Sequence, residues 1–384
     1  MEIPDKLVTP LGRTNCSDAK EEGRPCWATL EHFEFRGGLV RTGASLKKIL
    51  LTPLCVPGLA EGLSSLTGTC ASIFMLHRFS SPGDGVDGHD PSKVRAVLSH
   101  LRKQGYHLMS LQEMFRRLRE GESLTRAIAF TIDDGYFDHA SIAGPIFAEF
   151  DCPVTIFAVT GFLDGKNWLW WDEIQHICEK TSKRQLKVCV GDEQRLLELD
   201  SLPARMSAAR EIALWCQDAS HPNRVACLAN LSRDADVELP AVPPRRFAPL
   251  SWDEARQLEK RGVTFAPHTL THPVLSSTSD EHARFEISAS WKRLCDELAS
   301  PVPIFCYPHG RQRDFGMREM TEVHRLGLWG GVRGYPGRFR PAEFRKAPAI
   351  CAVPRFPFSD NLIDILQCVS GLENMKARLR GVRG

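Results

Sequence analysis

Two adjacent carboxylates stand at the end of an apolar run. The segment AIAFTI, residues 127–132, is followed directly by Asp133, Asp134 and Gly135. Two neighbouring carboxylates at the end of a buried strand repel each other unless a cation or a proton uses them. Consecutive side chains leaving a strand point in different directions, so one can bind a metal while the other faces a reacting water. The alternative is that both residues cap the next helix and form a turn with Gly135.

A histidine pair follows a second apolar run, residues 263–266. His268 and His272 are four residues apart, and one helical turn would place both imidazoles on the same face. Two histidines and one carboxylate form a common tripod for Zn²⁺ that leaves a position open for water. Two aspartates alone would also suit Mg²⁺ in a phosphoryl-transfer protein, and a lone histidine pair arises by chance. The prediction of a metal site therefore rests on the combination.

These groups need a scaffold that brings distant strand ends together. Strand, helix and strand follow each other in quick succession from residue 72, which favours a parallel sheet with crossover helices. Seven or eight strand-like runs separated by helices predict an α/β fold, an irregular (β/α) barrel, whose reactive side chains lie at the C-terminal strand ends. Residues 68–384 would form this barrel, residues 168–247 a mostly helical insertion in it, and residues 1–67 an N-terminal extension.

Composition limits the remaining classes of protein. The chain has 384 residues, 42% of them hydrophobic, and 49 basic against 47 acidic residues give a net charge of +2, which provides no field for nucleic acid. Thirteen cysteines without a CxxC pair, and an N-terminus unlike a signal peptide, indicate free thiols and a cytoplasmic location. The segment 46–66 is too interrupted to span a bilayer; it predicts an amphipathic helix packed on the protein or, alternatively, peripheral contact with the inner membrane surface.

Three motifs resemble those of a known family. TIDDG (131–135), HTLTH (268–272) and FCYPHG (305–310) resemble, in the same order, the motifs of the polysaccharide deacetylase family, the NodB-homology carbohydrate esterases. The resemblance covers roughly residues 72–358. It implies an irregular (β/α) barrel, one divalent metal (Zn²⁺ first, with Co²⁺ or Ni²⁺ as alternatives) and hydrolysis of N-acetyl groups on amino sugars.

The resemblance also implies a role for each matching residue. Asp133 would be the general base. Asp134, His268 and His272 would be the metal ligands. The backbone N–H of Tyr307 would help to hold the oxyanion of the tetrahedral intermediate.

Two family features are absent from their usual places. The arginine that orients the base does not precede Tyr307, and the late Leu-x-His motif that supplies the general acid is missing. His77 ends the first strand-like run, and the first and last strands of a closed barrel are neighbours, so a circularly permuted branch would place its acid there. A strand-end histidine bonded to a loop is the alternative. Arg355 is preferred to Arg311 and Arg313 as the missing arginine, although a surface arginine is an equal alternative.

The predicted function is a metal-dependent hydrolase that removes N-acetyl groups from an amino sugar in a polysaccharide, oligosaccharide or lipid-linked glycan. Trp168, Trp170 and Trp171 are candidates for a sugar-stacking platform, with core packing as the alternative; Trp171, Tyr307 and Arg355 are the predicted substrate contacts. One alternative function is a sugar O-acetyl esterase or deformylase. Another is a catalytically inactive sugar-binding protein on the same scaffold.

Overall fold

The computed structural model describes residues 54, 59, 62, 63, 71–336 and 341–372. The predicted extension 1–67, and with it the segment 46–66, therefore lies almost entirely outside the described residues. Within these ranges, no helix combines the length and apolar character that crossing a bilayer requires.

The strands form two parallel sheets that curve into a ring. The larger sheet has the order β11-β1-β3-β4-β7, with β2 paired to the start of β3, and the smaller sheet has the order β10-β9-β8. These strands are β1 (Ala71–Leu76), β2 (His107–Leu108), β3 (Ala127–Asp134), β4 (Val154–Ala158), β7 (Thr264–Pro267), β8 (Ile304–Cys306), β9 (Gly330–Arg333), β10 (Val353–Pro354) and β11 (Phe356–Pro357). The prediction of an irregular (β/α) barrel is confirmed.

Strand register places the chemistry-bearing residues at one edge. β1 and β3 are buried along their whole length, as expected for parallel strands covered on both faces. Leu76 pairs with Ile132, Asp134 with Ala158, and Ala158 with Pro267. The residues at or just after the ends of β1, β3 and β7 therefore meet at the C-terminal edge, where barrel enzymes carry their sites.

The two sheets are joined at two irregular places. Between β7 and β8, the amide of Val302 donates to the carbonyl of Phe265 at 2.7 Å. On the other side, β10 and β11 are separated by the single residue Arg355, and β11 pairs with β1. The apolar run 347–353, one of the strand-like runs of the sequence, is a strand only at its end: residues 349–352 form a 3₁₀ turn and only Val353–Pro354 are extended.

Helices cover the outside of the ring, and their sequence signals are visible. In α2 (Leu111–Glu120), the N-cap Ser110 accepts from the amide of Glu113 at 3.1 Å, and Leu111, Met114 and Leu118 lie on the buried face. The barrel helices are α1 (Pro91–Lys103), α2 (Leu111–Glu120), α3 (Gly144–Glu149), α4 (Thr160–Leu163), α8 (Trp252–Glu259), α9 (Asp280–Glu297), α10 (Met317–Arg325) and α11 (Leu362–Val369).

The segment 168–247 leaves the barrel between β4 and α8. It consists of α5 (Trp170–Lys180), β5 (Gln185–Val190), β6 (Glu193–Glu198), α6 (Leu202–Asp218) and α7 (His221–Asp234). These elements share a hydrophobic cluster of their own. The antiparallel β5–β6 hairpin was not predicted, although the alternation of exposed and buried residues in QLKVCV is typical of a half-buried strand.

Candidate metal centre and catalytic site

Eight of the residues singled out from the sequence come together in the folded chain. They line one small cavity of about 20 Å³ at the C-terminal edge of the strands. Its lining consists of His77, Asp133, Asp134, Trp171, His268, His272, Tyr307, His309, Gly334 and Arg355. Only His309 and Gly334 were not among the predicted residues.

Asp134 and the two histidines present three donor atoms to one point. Oδ1 of Asp134 lies 3.7 Å from Nε2 of His268 and 3.6 Å from Nε2 of His272, and the two Nε2 atoms are 3.2 Å apart. Tetrahedral ligands with Zn–N and Zn–O bonds of about 2.05 Å are about 3.3 Å from each other. The spacing of the three atoms therefore fits a small divalent metal.

Hydrogen bonding and burial prepare both imidazoles for this role. Nδ1 of His268 donates to the carbonyl of Cys306 at 2.8 Å, which leaves the lone pair of Nε2 directed at the site. Burial lowers the pKa of His268 and takes that of His272 well below its ordinary value, so both rings are neutral, as metal ligands must be. Donor atoms of this kind, one carboxylate oxygen and two imidazole nitrogens, suit Zn²⁺.

The ionised form of Asp134 is unfavourable in this buried position without a cation. Burial raises the pKa of Asp134 well above its ordinary value, and the charges of Asp133 and Asp172 raise it further. A bound dication would reverse this effect and hold the carboxylate ionised. The residues present therefore fit a divalent metal chemically as well as geometrically.

The segment carrying the two histidines is not helical. It was predicted as one helical turn, but residues 268–272 form a loop in which Thr269 and His272 have positive φ, 66° and 57°. The hydroxyl of Thr269 accepts from the amide of His272 at 3.0 Å. A compact loop, not the helical repeat, therefore brings the two imidazoles together.

Glu286 on α9 holds this loop through hydrogen bonds. Its side chain is fully buried, and Oε2 accepts from the amides of Leu270 at 2.8 Å and Thr271 at 2.9 Å. Oε1 accepts from the hydroxyl of Thr271 at 2.5 Å. Glu286 could not be found from the sequence, because no local pattern links a helical glutamate to a loop fifteen residues earlier.

The second carboxylate has a different partner. Arg355 donates from its two terminal nitrogens to Oδ1 and Oδ2 of Asp133, both at 2.7 Å, and both side chains are buried. Burial alone would raise the pKa of Asp133, but the charge and hydrogen bonds of Arg355 outweigh it and hold the pKa below its usual range. Arg355 thus contacts the candidate base and not an open substrate surface, whereas Arg311 pairs with Asp314 and Arg313 with Asp218.

His77 lies beside the same carboxylate. Its Nε2 is 3.9 Å from Oδ2 of Asp133, and its side chain is 22% exposed. Its carbonyl accepts from Nε2 of His139 at 2.5 Å, which fixes the backbone at the end of β1. Burial, only partly offset by the charge of Asp133, lowers the pKa of His77 to about 4.

The expected role of the Tyr307 amide does not fit the structure. This N–H donates to the carbonyl of Val332 in β9 at 3.3 Å, so it is used in the barrel wall. The Tyr307 ring is buried and stacks on Phe315 with centroids 3.9 Å apart. Its strand position explains the difference, because Tyr307 extends the ladder of β8 onto β9.

The three tryptophans separate into two groups. Trp168 packs against Phe247, and Trp170 belongs to the core of the insertion, which corresponds to the core-packing alternative for these two rings. The ring of Trp170 also meets that of Trp171 edge-on, with centroids 5.2 Å apart. Trp171 stands 4.8 Å from the ring of His272 and donates from Nε1 to the hydroxyl of Tyr136 at 2.9 Å.

A second cavity of about 250 Å³ adjoins the first between barrel and insertion. His77, Asp134 and Trp171 line both cavities. Tyr136, Arg78 and Met206 on α6 of the insertion also line the larger one. A ligand in this cavity would thus lie next to Asp134, one of the three metal-ligand candidates, and next to His77.

Two further residues at the site were missed from the sequence. The thiol of Cys306 is 3.7 Å from Oδ2 of Asp133, and the buried His309 lines the small cavity. Both lie inside the segment FCYPHG that was already recognised as a motif, so a closer reading of that segment could have found them.

Comparisons with known proteins support the resemblance. Residues 218–325 match the sequence profile named Polysaccharide deacetylase; the match includes both histidines and Tyr307 but begins after Asp133 and Asp134. No curated protein matches the chain.

Among solved structures, IcaB from Ammonifex degensii has a TM-score of 0.50 at 14% identity, covering 79% of this chain and 97% of its own. The deacetylase PplD of Streptococcus pyogenes, in complex with acetate, has 0.49 at 17% identity, covering 78% and 96%. The deacetylase domain of BpsB from Bordetella bronchiseptica has 0.45 at 14% identity, covering 76% and 96%. The fold is shared with IcaB, and the predicted resemblance of the chain to the polysaccharide deacetylase (NodB-homology) family is confirmed.

Proposed function

We propose that the protein is a divalent-metal-dependent hydrolase that removes N-acetyl groups from an amino sugar of a glycan. The observation that carries the proposal is that two adjacent carboxylates have different partners. Asp134 completes a tripod with His268 and His272, while Asp133, its neighbour, is held by Arg355. The family match and the shared fold support a carbohydrate deacetylase.

A metal on the tripod would act as a Lewis acid on the acyl oxygen and would favour ionisation of the attacking water. Asp133 accepts the proton of that water, and Arg355 keeps it ionised and oriented for this purpose. His77 then donates to the leaving nitrogen. Because its pKa is lowered, His77 is neutral at the start, so the proton that it delivers is the one that Asp133 received 3.9 Å away. One proton of the water thereby reaches the nitrogen and the other stays on the new carboxyl group, so water and amide give acetic acid and an amine, which ionise to acetate and an ammonium group at neutral pH.

The second cavity supports a sugar as the substrate. The small cavity of about 20 Å³ cannot hold a sugar ring, whereas the adjoining one of about 250 Å³ is large enough for a ring. Trp171 lies at their junction, and its exposed ring surface suits the apolar face of a sugar. The acetamido group would then enter the small cavity.

The test begins with metal removal and return. The full-length protein is treated with a chelator and then given Zn²⁺ or Co²⁺, and release of acetate from an N-acetylglucosamine oligomer is measured. We expect activity to be lost and then restored. An activity that survives complete removal of metal would refute the proposal.

Two variants separate the metal from the base. His268→Ala should lose metal and activity together, while His324→Ala, at an exposed histidine on α10, should lose neither. Asp133→Asn should keep the metal and lose at least ~10²-fold in kcat. A matched O-acetyl ester substrate, measured in parallel, distinguishes an N-deacetylase from an esterase.

A further inference from the structure

His309 presents an unused polar atom to the site. It follows β8 within the segment FCYPHG, and its side chain is 8% exposed. Its ring centroid lies 4.8 Å from that of His272 and 6.3 Å from that of Trp171. Nε2 of His309 is buried and makes no hydrogen bond within the described residues. A buried polar atom facing a cavity is costly to keep without a partner, which points to a ligand.

The other nitrogen of the ring fixes which atom carries the proton. Nε2 of Gln217 lies 2.8 Å from Nδ1 of His309, and Gln217 is itself buried near the end of α6 in the insertion. In this arrangement the amide donates and Nδ1 accepts. The proton of a neutral imidazole is then on Nε2, so the ring presents an N–H donor to the cavity.

The backbone of His309 is held in a fixed position. Its φ is +58°, in the left-handed region that few side chains adopt. Its carbonyl lies against Gly334, where an added Cβ would come within 2.3 Å of that oxygen. Gly334 also donates from its amide to the carbonyl of Gly310 at 3.1 Å. A strained residue held from both sides is typical of a functional position.

Hydrolysis of an amide develops negative charge on the acyl oxygen, which needs a donor besides the metal. The amide of Tyr307, expected for this role, donates instead to Val332. We propose that the Nε2–H of His309 donates to the acyl oxygen of the substrate as it becomes the oxyanion, and that Gln217 sets the tautomer required. This inference rests on the proposed function and makes His309 a catalytic residue of the same site.

Two substitutions at one position test it. In His309→Asn the side-chain amide takes the place of Nδ1, so the contact with Gln217 survives and the donor to the acyl group is lost. In His309→Gln the amide reaches the place of Nε2, so the donor survives. We expect the Asn variant to lose ~10²-fold in kcat, the usual effect of removing one oxyanion donor, and the Gln variant to stay within about 10-fold of wild type.

Backbone strain predicts the opposite order, because asparagine tolerates a positive φ better than glutamine does. A less active Asn variant therefore cannot be explained by folding. Metal content, measured by elemental analysis, should equal that of wild type in both variants. Equal activity of the two variants, or loss of metal from both, would overturn the inference. Wild-type protein in the same assay keeps the two proposals apart: an inactive wild type refutes the function, and equal variants beside an active wild type refute only the role of His309.

Discussion

Arg355 provides the sharpest test of how the site is assembled. It makes a bidentate contact with Asp133 at 2.7 Å and 2.7 Å, with side chains 1% and 4% exposed. Arg355→Met keeps an unbranched stem similar to the aliphatic part of arginine and removes the guanidinium group with its charge and hydrogen bonds. The carboxylate of Asp133 would then be buried without its partner, its pKa would rise because burial is no longer offset, and it would cease to act as a base.

The expected loss of stability follows from the burial of this pair. Removing one member of a buried ion pair costs about 3–5 kcal/mol in the free energy of unfolding. The structure describes about 300 residues, and their unfolding entropy is about 0.6 kcal/mol/K. The melting temperature should therefore fall by about 5–8 °C, and kcat should fall at least ~10²-fold.

The chain offers a control with the same geometry at the surface. Arg95 contacts Glu149 through two hydrogen bonds of 2.7 Å, but the side chains are 42% and 45% exposed. Arg95→Met should cost about 1 kcal/mol or less, which is about 2 °C or less, and should leave activity unchanged.

Thermal unfolding of the two variants and of wild type, measured side by side, decides the matter. In an Asp133→Asn background, Arg355→Met should cost clearly less, because no carboxylate is then left uncompensated. Equal shifts for Arg355→Met and Arg95→Met would show that the buried pair contributes no more than a surface pair and would refute the reasoning.

Three further predictions concern the same framework. Glu286→Gln should weaken metal binding ~10–100-fold, because the amide replaces one of the acceptors that hold the histidine loop. Glu281→Gln, at an exposed site on the same helix, is the control, and equal metal affinities of the two variants would contradict the role of Glu286. His77→Ala should keep its metal but lose at least ~10²-fold in kcat on an amide and less on an ester, whose leaving group needs less help; an unchanged amide rate would exclude His77 as the acid. We propose a reducing compartment for the protein, so thiol titration of denatured, unreduced protein should find nearly all 13 cysteines free; several disulfides would argue against it.

The barrel could be predicted because its main strands are recognisable as apolar runs in the sequence. β1 and β3 are unbroken apolar runs, and parallel strands buried on both faces have just this composition. The hairpin β5–β6 was overlooked because the alternation in QLKVCV stood among helical segments. The run 347–353 shows the opposite error, in which a strand is inferred where most of the residues form none. Its apolar residues are buried in a 3₁₀ turn, so their burial does not require a strand.

The identity of the main site residues could be predicted from strand ends and motifs. Asp133 and Asp134 end β3, and His268 and His272 come shortly after β7, so the four residues are recognisable as a set at neighbouring strand ends. Their conformations could not be predicted, since the loop that joins the histidines is held by Glu286, which belongs to α9. The use of the Tyr307 amide was likewise decided by a neighbour, the carbonyl of Val332, that no local pattern reveals.

The way in which the ring closes implies an order of events during folding. The residues that form and support the metal tripod lie on or next to β3, β7, β8 and α9, all of which precede β10 and β11 in the chain. The partner of the base arrives later in the chain, since Arg355 is 222 residues from Asp133 and is placed when β11 pairs with β1. Contacts of such long range form late. A barrel with this last seam open would already hold its metal and yet be inert, so metal uptake during refolding should precede the return of activity.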